Sequence, residues 1–313
     1  MTPHLLERIK NCKTLPAVPS LPLQVLQLCR DDRTDCKQMA DVISQDPSFV
    51  AKLLNVANSS FYGGTRHTVT TVTQAVTLLG MNSIATLAFC FSLYRDLRKK
   101  GGESFDHARY WQRSILASLA ARIVGKWKRF PNYEEMFLAA LLQDLGILVL
   151  SETLGHEYDD LYRQAGRNHR QLEMLEHEQL DTDHAEVGAW LAAMWELPEI
   201  MQVAVAGSHD PGRISFAEDY RPVVLSVALS GRLADLWCDA DPHEAASLAV
   251  EAAHDLLQIP PDEVVGLVKE IRDGIPDISS FFQVHLASAE ELDHILTIVD
   301  RLALEPTSIK SNP

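Results

Sequence analysis

The stretch LAALLQDLGILVL, residues 138–150, reads as an apolar helix interrupted by one polar pair, Gln143 and Asp144. No stretch of the chain reaches the roughly 18 consecutive apolar residues that a bilayer span requires. The N-terminus, MTPHLLERIKNCK, carries charges where a secretory signal would need an apolar core. The expectation is a soluble, cytoplasmic protein without a membrane contact. What a buried-looking helix does with a glutamine and an aspartate at its middle is the question the rest of the sequence has to answer.

Helix signals surround this stretch, and strand signals are almost absent. In QDPSFVAKLLNVANSS, Asp46 is placed to N-cap a helix with Pro47 at its first position, and Phe49, Val50, Leu53, Leu54 and Ala57 form one stripe. Thr71 and Gln74 fit a capping box for a short helix over Val72 to Leu79, and Gly80 stands where a left-handed C-terminal cap belongs. Asn132 with Glu135, and Asp183 with Glu186, repeat the N-cap pattern. The β-branched run HTVTTVT (67–73) overlaps the capping box and has no partner run, so it reads as a loop. The predicted fold class is all-α, a multi-helix bundle.

The 313 residues are 46% hydrophobic and 23% charged, an ordinary globular composition that excludes wholesale disorder. The five cysteines, Cys12, Cys29, Cys36, Cys90 and Cys238, are odd in number and widely spaced, which fits reduced packing residues. The net charge of −15 divides unevenly: +2 over residues 1–94, +7 over 95–130 and −24 over 131–313. An acidic body repels phosphate backbones, so general nucleic-acid binding is not expected. The basic exception, Arg95, Arg98, Lys99 and Lys100 followed by Lys126, Lys128 and Arg129, offers contacts for an anion or an acidic partner, although basic residues also serve as helix ends. KKGGESFD (99–106) is the clearest internal boundary and closes an N-terminal helical subdomain at residue 100; a weaker break lies at 209–222.

The ordered motifs LPAVPSLPLQVLQL, MADVISQDPSFVAKLLNVANSSFYG and TVTQAVTLLGMNSIATLAF, then YWQRSILASLAARI, FLAALLQDLGILVL, HAEVGAWLAAMWELP and VAVAGSHDP, resemble the HDOD family over about residues 14–211. That family is a bacterial signalling relative of the HD and HD-GYP phosphohydrolases. The resemblance implies an HD-like helical subdomain over 101–211; beyond it the sequence itself reads as a C-terminal helical extension over 212–304 and a frayed tail over 305–313. It also implies a metal site built from a histidine, an adjacent His-Asp pair and a later aspartate, which hold a cation that polarises phosphoryl oxygen. In this sequence the first histidine falls at Arg113 and the pair at Gln143-Asp144. The later aspartate falls near Ser230-Gly231, with Asp235 one helical turn beyond.

A guanidinium about 4 Å from a divalent ion would cost roughly 8 kcal/mol at an effective dielectric near 20. Arg113 is therefore expected to pair with Asp144 where a metal would have been. His184 and His209 match segments that carry further metal-binding histidines in relatives with two or three metals, although His184 also has an ordinary place at a helix start. The acidic stretch EMLEHEQLDTDH (173–184) reads as a solvated face, Trp111, Trp190 and Trp195 as core, and Asn58-Ser59-Ser60 as a structural turn.

Three functions stay open. The first is a non-catalytic signalling or regulatory module, with Arg113, Gln143, Asp144, His184 and His209 as a degenerate pocket, no catalytic residue, no metal and no cofactor, and signalling proteins as partners. The second is a metal-dependent phosphohydrolase, such as a cyclic dinucleotide phosphodiesterase, with a rearranged site of Asp144, His184, His209 and Asp235. The third is a nucleotide or phosphoprotein sensor that uses Arg113 and the 95–130 basic stretch. The ligand count favours the first, and the expectation is that the chain is not an enzyme.

Overall fold

Helix caps set most of the element boundaries in the computed structural model, which describes residues 1–15, 24, 25, 28, 33–59, 68–98 and 105–304. The elements are α1 (Pro3–Asn11), α2 (Cys36–Ile43), α3 (Pro47–Ala57), α4 (Val72–Leu79), α5 (Met81–Leu97), α6 (His107–Trp127), α7 (Tyr133–Leu142), α8 (Leu145–Leu154), α9 (His156–Gln164) and α10 (His169–Leu180). They continue through α11 (His184–Met194), α12 (Glu199–Ala206), α13 (Arg221–Cys238), α14 (Pro242–Leu257), α15 (Pro261–Phe282) and α16 (Ala289–Leu304). No strand occurs among the described residues. The fold is all-α.

The Asp46 carboxylate accepts from the Ser48 and Phe49 amides, and Thr71 and Gln74 close a reciprocal capping box. Asp183 accepts from the Glu186 amide. Each such cap is worth about 1 kcal/mol. Asn132 departs from the pattern: its backbone (φ −95°, ψ 27°) lies outside the extended region an N-cap uses, and its side chain makes no capping bond. Gly80, at φ +82°, lets α4 and α5 meet at a bend of 112°. Asn58 acts structurally: its carboxamide bonds both the amide and the carbonyl of Val69.

The second unit is organised around α6, whose buried residues include Arg113, Ser114, Ser118 and Arg122. Helices α7, α13 and α15 pack against it, α8 crosses α11, and α12 and α14 extend these layers. The N-terminal helices join through α5 on α7, and Lys52 of α3 donates to the Phe281 carbonyl of α15 at 2.5 Å. Within residues 221–304, α13 and α15 thus lie against the central helix with α14 and α16 packed on them, and α13 carries Asp235 into the interior. The boundary segment 99–104 and the tail 305–313 lie outside the described residues.

One expectation from composition changes. Tyr133–Leu154, which spans α7 and α8, is long and apolar enough to cross a bilayer, and its most apolar window is 89% buried within the protein. The short polar break at 143–144 hides this length in the sequence. Trp111 and Trp195 are buried and Trp190 is half-buried in the core, as their stripes require.

Candidate metal centre

The break between α7 and α8 is where the site begins. Asp144 is the N-cap of α8 but makes no capping bond, so its buried carboxylate is left to other partners. Two residues on, Gly146 lets α11 cross backbone to backbone: a Cβ there would stand 1.9 Å from the His184 carbonyl oxygen and 2.8 Å from the Gly188 amide. This crossing brings His184, the first residue of α11, beside Asp144. His169, the first residue of α10, and His209, three residues beyond α12, complete the group.

The ring nitrogens converge. His184 Nε2 lies 3.1 Å from His169 Nε2 and 2.7 Å from His209 Nε2. Asp144 Oδ1 lies 3.6 Å from the Nε2 atoms of both His169 and His184 and has no hydrogen-bond partner. One ligand atom from each of the four residues falls within 4.8 Å of all the others. Asp144, His169 and His184 are buried, and His209 is half-buried.

Carboxylates of α10 hold the rings from behind. Glu176 Oε2 lies 2.6 Å from His184 Nδ1 and accepts the His184 amide at 2.9 Å, while Tyr158 donates its hydroxyl to the other oxygen. Glu173 Oε1 lies 3.4 Å from His209 Nδ1. An outer carboxylate that takes one imidazole N–H fixes the tautomer and aims the other nitrogen inward. Burial pulls the His184 pKa down, but Glu176 and Asp144 outweigh it and hold the ring at about 10. Burial, with Arg113 and His184 nearby, pushes His169 and His209 well below the usual imidazole range. Burial alone would raise Asp144, yet Arg113 first and then His184 keep it below the ordinary carboxylate value.

The donor set fits a divalent transition metal. Three nitrogens and one carboxylate oxygen face a common point, and Oδ1 of Asp144 is a buried acceptor with nothing else to satisfy it. Ligand atoms about 2.0–2.1 Å from a tetrahedral zinc stand roughly 3.3 Å apart; here four of the pairs stand 2.7–3.6 Å apart and every pair lies within 4.8 Å.

Arg113 fills the neighbouring position. Its Nη1 donates to Asp144 Oδ2 at 2.5 Å and its Nε to Asp235 Oδ1 at 2.8 Å, so it pairs with Asp144 as its alignment implied. A Cβ at Gly231 would stand 2.9 Å from Arg113 Nη2 and 3.3 Å from Gln143 Oε1, so the guanidinium occupies the space that a side chain at 231 would take. Gln143 is fully buried, and neither of its amide atoms has a partner among the described residues. Asp235 binds Arg113 Nε and is not among the four residues whose ligand atoms converge, which removes it from the ligand set Asp144, His184, His209 and Asp235; His169 takes its place.

His169 was missed in the sequence. The signal was there: Asn168-His169 and Asp183-His184 both place a histidine directly after an N-cap. The acidic stretch 173–184 is also corrected, because Glu176 is fully buried and Glu173 faces His209. The basic stretch does not converge on the centre. Arg95 pairs with Asp46 and Asp96, Arg98 caps α5, Lys126 lies over the Tyr133 ring, Lys128 donates to the Leu257 carbonyl, and Arg129 forms the left-handed turn after α6. Lys99 and Lys100 lie outside the described residues. Arg113 is committed to two carboxylates, which leaves it no fork for a phosphate.

The HDOD domain family model matches residues 15–211, well over half of the chain. The chain belongs to the HDOD family. An uncharacterized protein of Treponema pallidum (strain Nichols) is 24% identical over 233 residues, which make up 72% of this chain and 44% of that protein. The chain therefore spans less than half the length of that relative. Among solved structures, an HDOD domain protein of unknown function from Geobacter sulfurreducens superposes with a TM-score of 0.73 at 21% identity, covering 90% of this chain and 97% of that one. Two proteins of Shewanella amazonensis SB2B, named as a candidate phosphohydrolase and a candidate metal-dependent phosphohydrolase, follow with TM-scores of 0.67 and 0.60 at 22% and 19% identity. They cover 91% and 89% of this chain, and 99% and 96% of their own lengths are matched. At these identities the likeness establishes the fold.

The expectation that the chain is not an enzyme is overturned by the largely buried Asp144, His169, His184 and His209 cluster, which could hold a metal, and by two fold neighbours named as phosphohydrolases, one of them metal-dependent. The ligand count made from the sequence falls short because its rearranged set includes Asp235, which binds Arg113, and lacks His169.

Proposed function

We propose that this HDOD signalling module is a metal-dependent phosphohydrolase with one divalent ion, held by Asp144, His169, His184 and His209. The observation that carries this reading is the convergence of three imidazole Nε2 atoms on an otherwise unpartnered carboxylate oxygen, with outer carboxylates behind two of the rings. A bound divalent ion there would polarise a phosphoryl oxygen and lower the pKa of bound water towards about 7.

The remaining residues have separable tasks. Glu176 holds the Nδ1 proton of His184 and so keeps Nε2 directed inward. Arg113 takes Oδ2 of Asp144, which leaves Oδ1 on the histidine side, and it neutralises Asp144 and Asp235 together. His209, the least buried member, also lines an open cleft beside the centre.

The test is to express the chain with added iron, manganese and zinc, purify it without chelator, and measure metal by plasma mass spectrometry alongside hydrolysis of bis(p-nitrophenyl) phosphate. About one ion per chain, lost together with activity in His169→Ala and His184→Ala, is expected. Metal far below stoichiometry in the wild type, or hydrolysis that survives both substitutions, overturns the reading.

A further inference from the structure

The centre is flanked by two spaces of different size. On the Arg113 side, a cavity of about 10 Å³ touches Tyr110, Arg113, Asp144 and His169. It has room for about one water molecule. On the other side, His209 forms part of the wall of an open cleft of about 280 Å³. That volume is near the lower end of small-ligand pockets, roughly 300–1,000 Å³. A ligand can therefore reach the centre only from the His209 side of these two.

The cleft is chemically divided. Arg170 of α10 and Arg232 of α13 line it together with His209, and Leu248, Ala252 and Leu256 of α14 make an apolar wall one helical turn apart. No carboxylate pairs with Arg170 among the described residues, while Arg232 Nη1 lies 3.8 Å from Glu173 Oε1, beside His209. Carboxylates are present as well. Asp210 is tied to the Gly212 amide and Arg213, whereas Glu251 and Asp255 are exposed on α14. Their charge disfavours a free anion at the α14 side and favours one drawn in towards Arg170 and Arg232.

We infer that this cleft is the substrate-binding subsite, in which Arg170 and Arg232 grip the phosphoryl group of a phosphate ester and Leu248, Ala252 and Leu256 receive an apolar face of its alcohol half. The inference rests on the phosphohydrolase reading for the reaction, but not for the binding. Arg232, Leu248, Ala252 and Leu256 all lie beyond residue 211, where the family match ends. Specificity in this chain is thus built by its own C-terminal helices. Arginine suits the task because its planar fork holds phosphate through paired hydrogen bonds.

The experiment titrates the full chain with phenyl phosphate and with inorganic phosphate by calorimetry, and measures metal content on the same samples. Arg170→Ala, an exposed position that spares folding, is expected to weaken both ligands about tenfold, as the loss of one charge-assisted contact does. Leu248→Asp is expected to weaken phenyl phosphate more than inorganic phosphate, and Arg232→Gln to act like Arg170→Ala with circular dichroism unchanged. Wild-type protein that binds no phenyl phosphate at about 10 mM, or binding equal in wild type, Arg170→Ala and Arg232→Gln, overturns the inference. Binding that depends on Arg170 in a chain without metal keeps this inference and removes the hydrolase reading. A metal-loaded, active chain indifferent to Arg170 and Arg232 does the reverse.

Discussion

Arg113 and Asp144 form a buried ion pair in which Nη1 stands 2.5 Å from Oδ2, with Asp235 closing on the same guanidinium through Nε at 2.8 Å. Gly231 leaves the space in which that guanidinium lies. A fixed organic cation thus sits where the HD resemblance implies a metal ion, and it faces the same carboxylate that meets the three histidines through its other oxygen. Arg113 therefore replaces one cation without removing the donors for a second.

Removing Arg113 leaves two buried carboxylates without a counter-charge. Breaking one side of a buried ion pair typically costs about 3–5 kcal/mol, and Arg113→Met is expected to lose that much in urea unfolding at neutral pH. A loss under about 1 kcal/mol would show that Asp144 and Asp235 find other partners.

The double substitution Arg113→His with Gln143→His places two imidazoles beside Asp144 and Asp235, the residue types that the HD resemblance implies. It is expected to raise metal content by about one ion per chain over the parent. An unchanged metal-to-protein ratio in folded protein would argue that the surrounding helices no longer accept that first ion.

The crossing at Gly146 should be intolerant of even one methyl group. A Cβ there meets the His184 carbonyl, so Gly146→Ala has to push α8 and α11 apart. Overpacking of this kind costs about 1–3 kcal/mol, and the displacement should also weaken metal retention after dialysis against a mild chelator. Normal retention would show that His184 is not positioned by this contact.

Glu176 acts on the centre through His184. Glu176→Gln is expected to lower metal affinity about 10- to 100-fold, measured in chelator-buffered solutions, while Tyr158→Phe should cost less because it removes only a bond to Glu176. Equal affinity in wild type and Glu176→Gln would remove the tautomer argument.

Metal uptake should depend on pH with a defined sign. In the metal-free centre His184 carries its proton up to about pH 10, while His169 and His209 are neutral at pH 7. A metal ion must displace the His184 proton, with Glu173, Glu176, Asp144, Arg113 and Arg232 as the charges facing these rings. Affinity is thus expected to rise about tenfold per pH unit between pH 7 and 8, with about one proton released per ion bound. Calorimetry in two buffers of different ionisation enthalpy measures that proton, and no buffer dependence would count against a protonated His184.

The sequence by itself determined the helices, most of their caps, the HDOD order of motifs, and the metal-site positions that the resemblance implies, with Arg113 and Gln143 in place of histidines and Asp144 retained. These were legible because caps and apolar stripes are local, and because an aligned motif names positions directly. Only the tertiary structure decided that His169, Glu173 and Glu176 face inward. On α10 they follow one another at helical spacing, and in sequence such a polar stripe is the same whether it meets water or three other helices. Burial is a property of what packs against a face. Here it is the Gly146 crossing of α8 and α11, together with the end of α12, that turns this stripe into the wall of a metal centre.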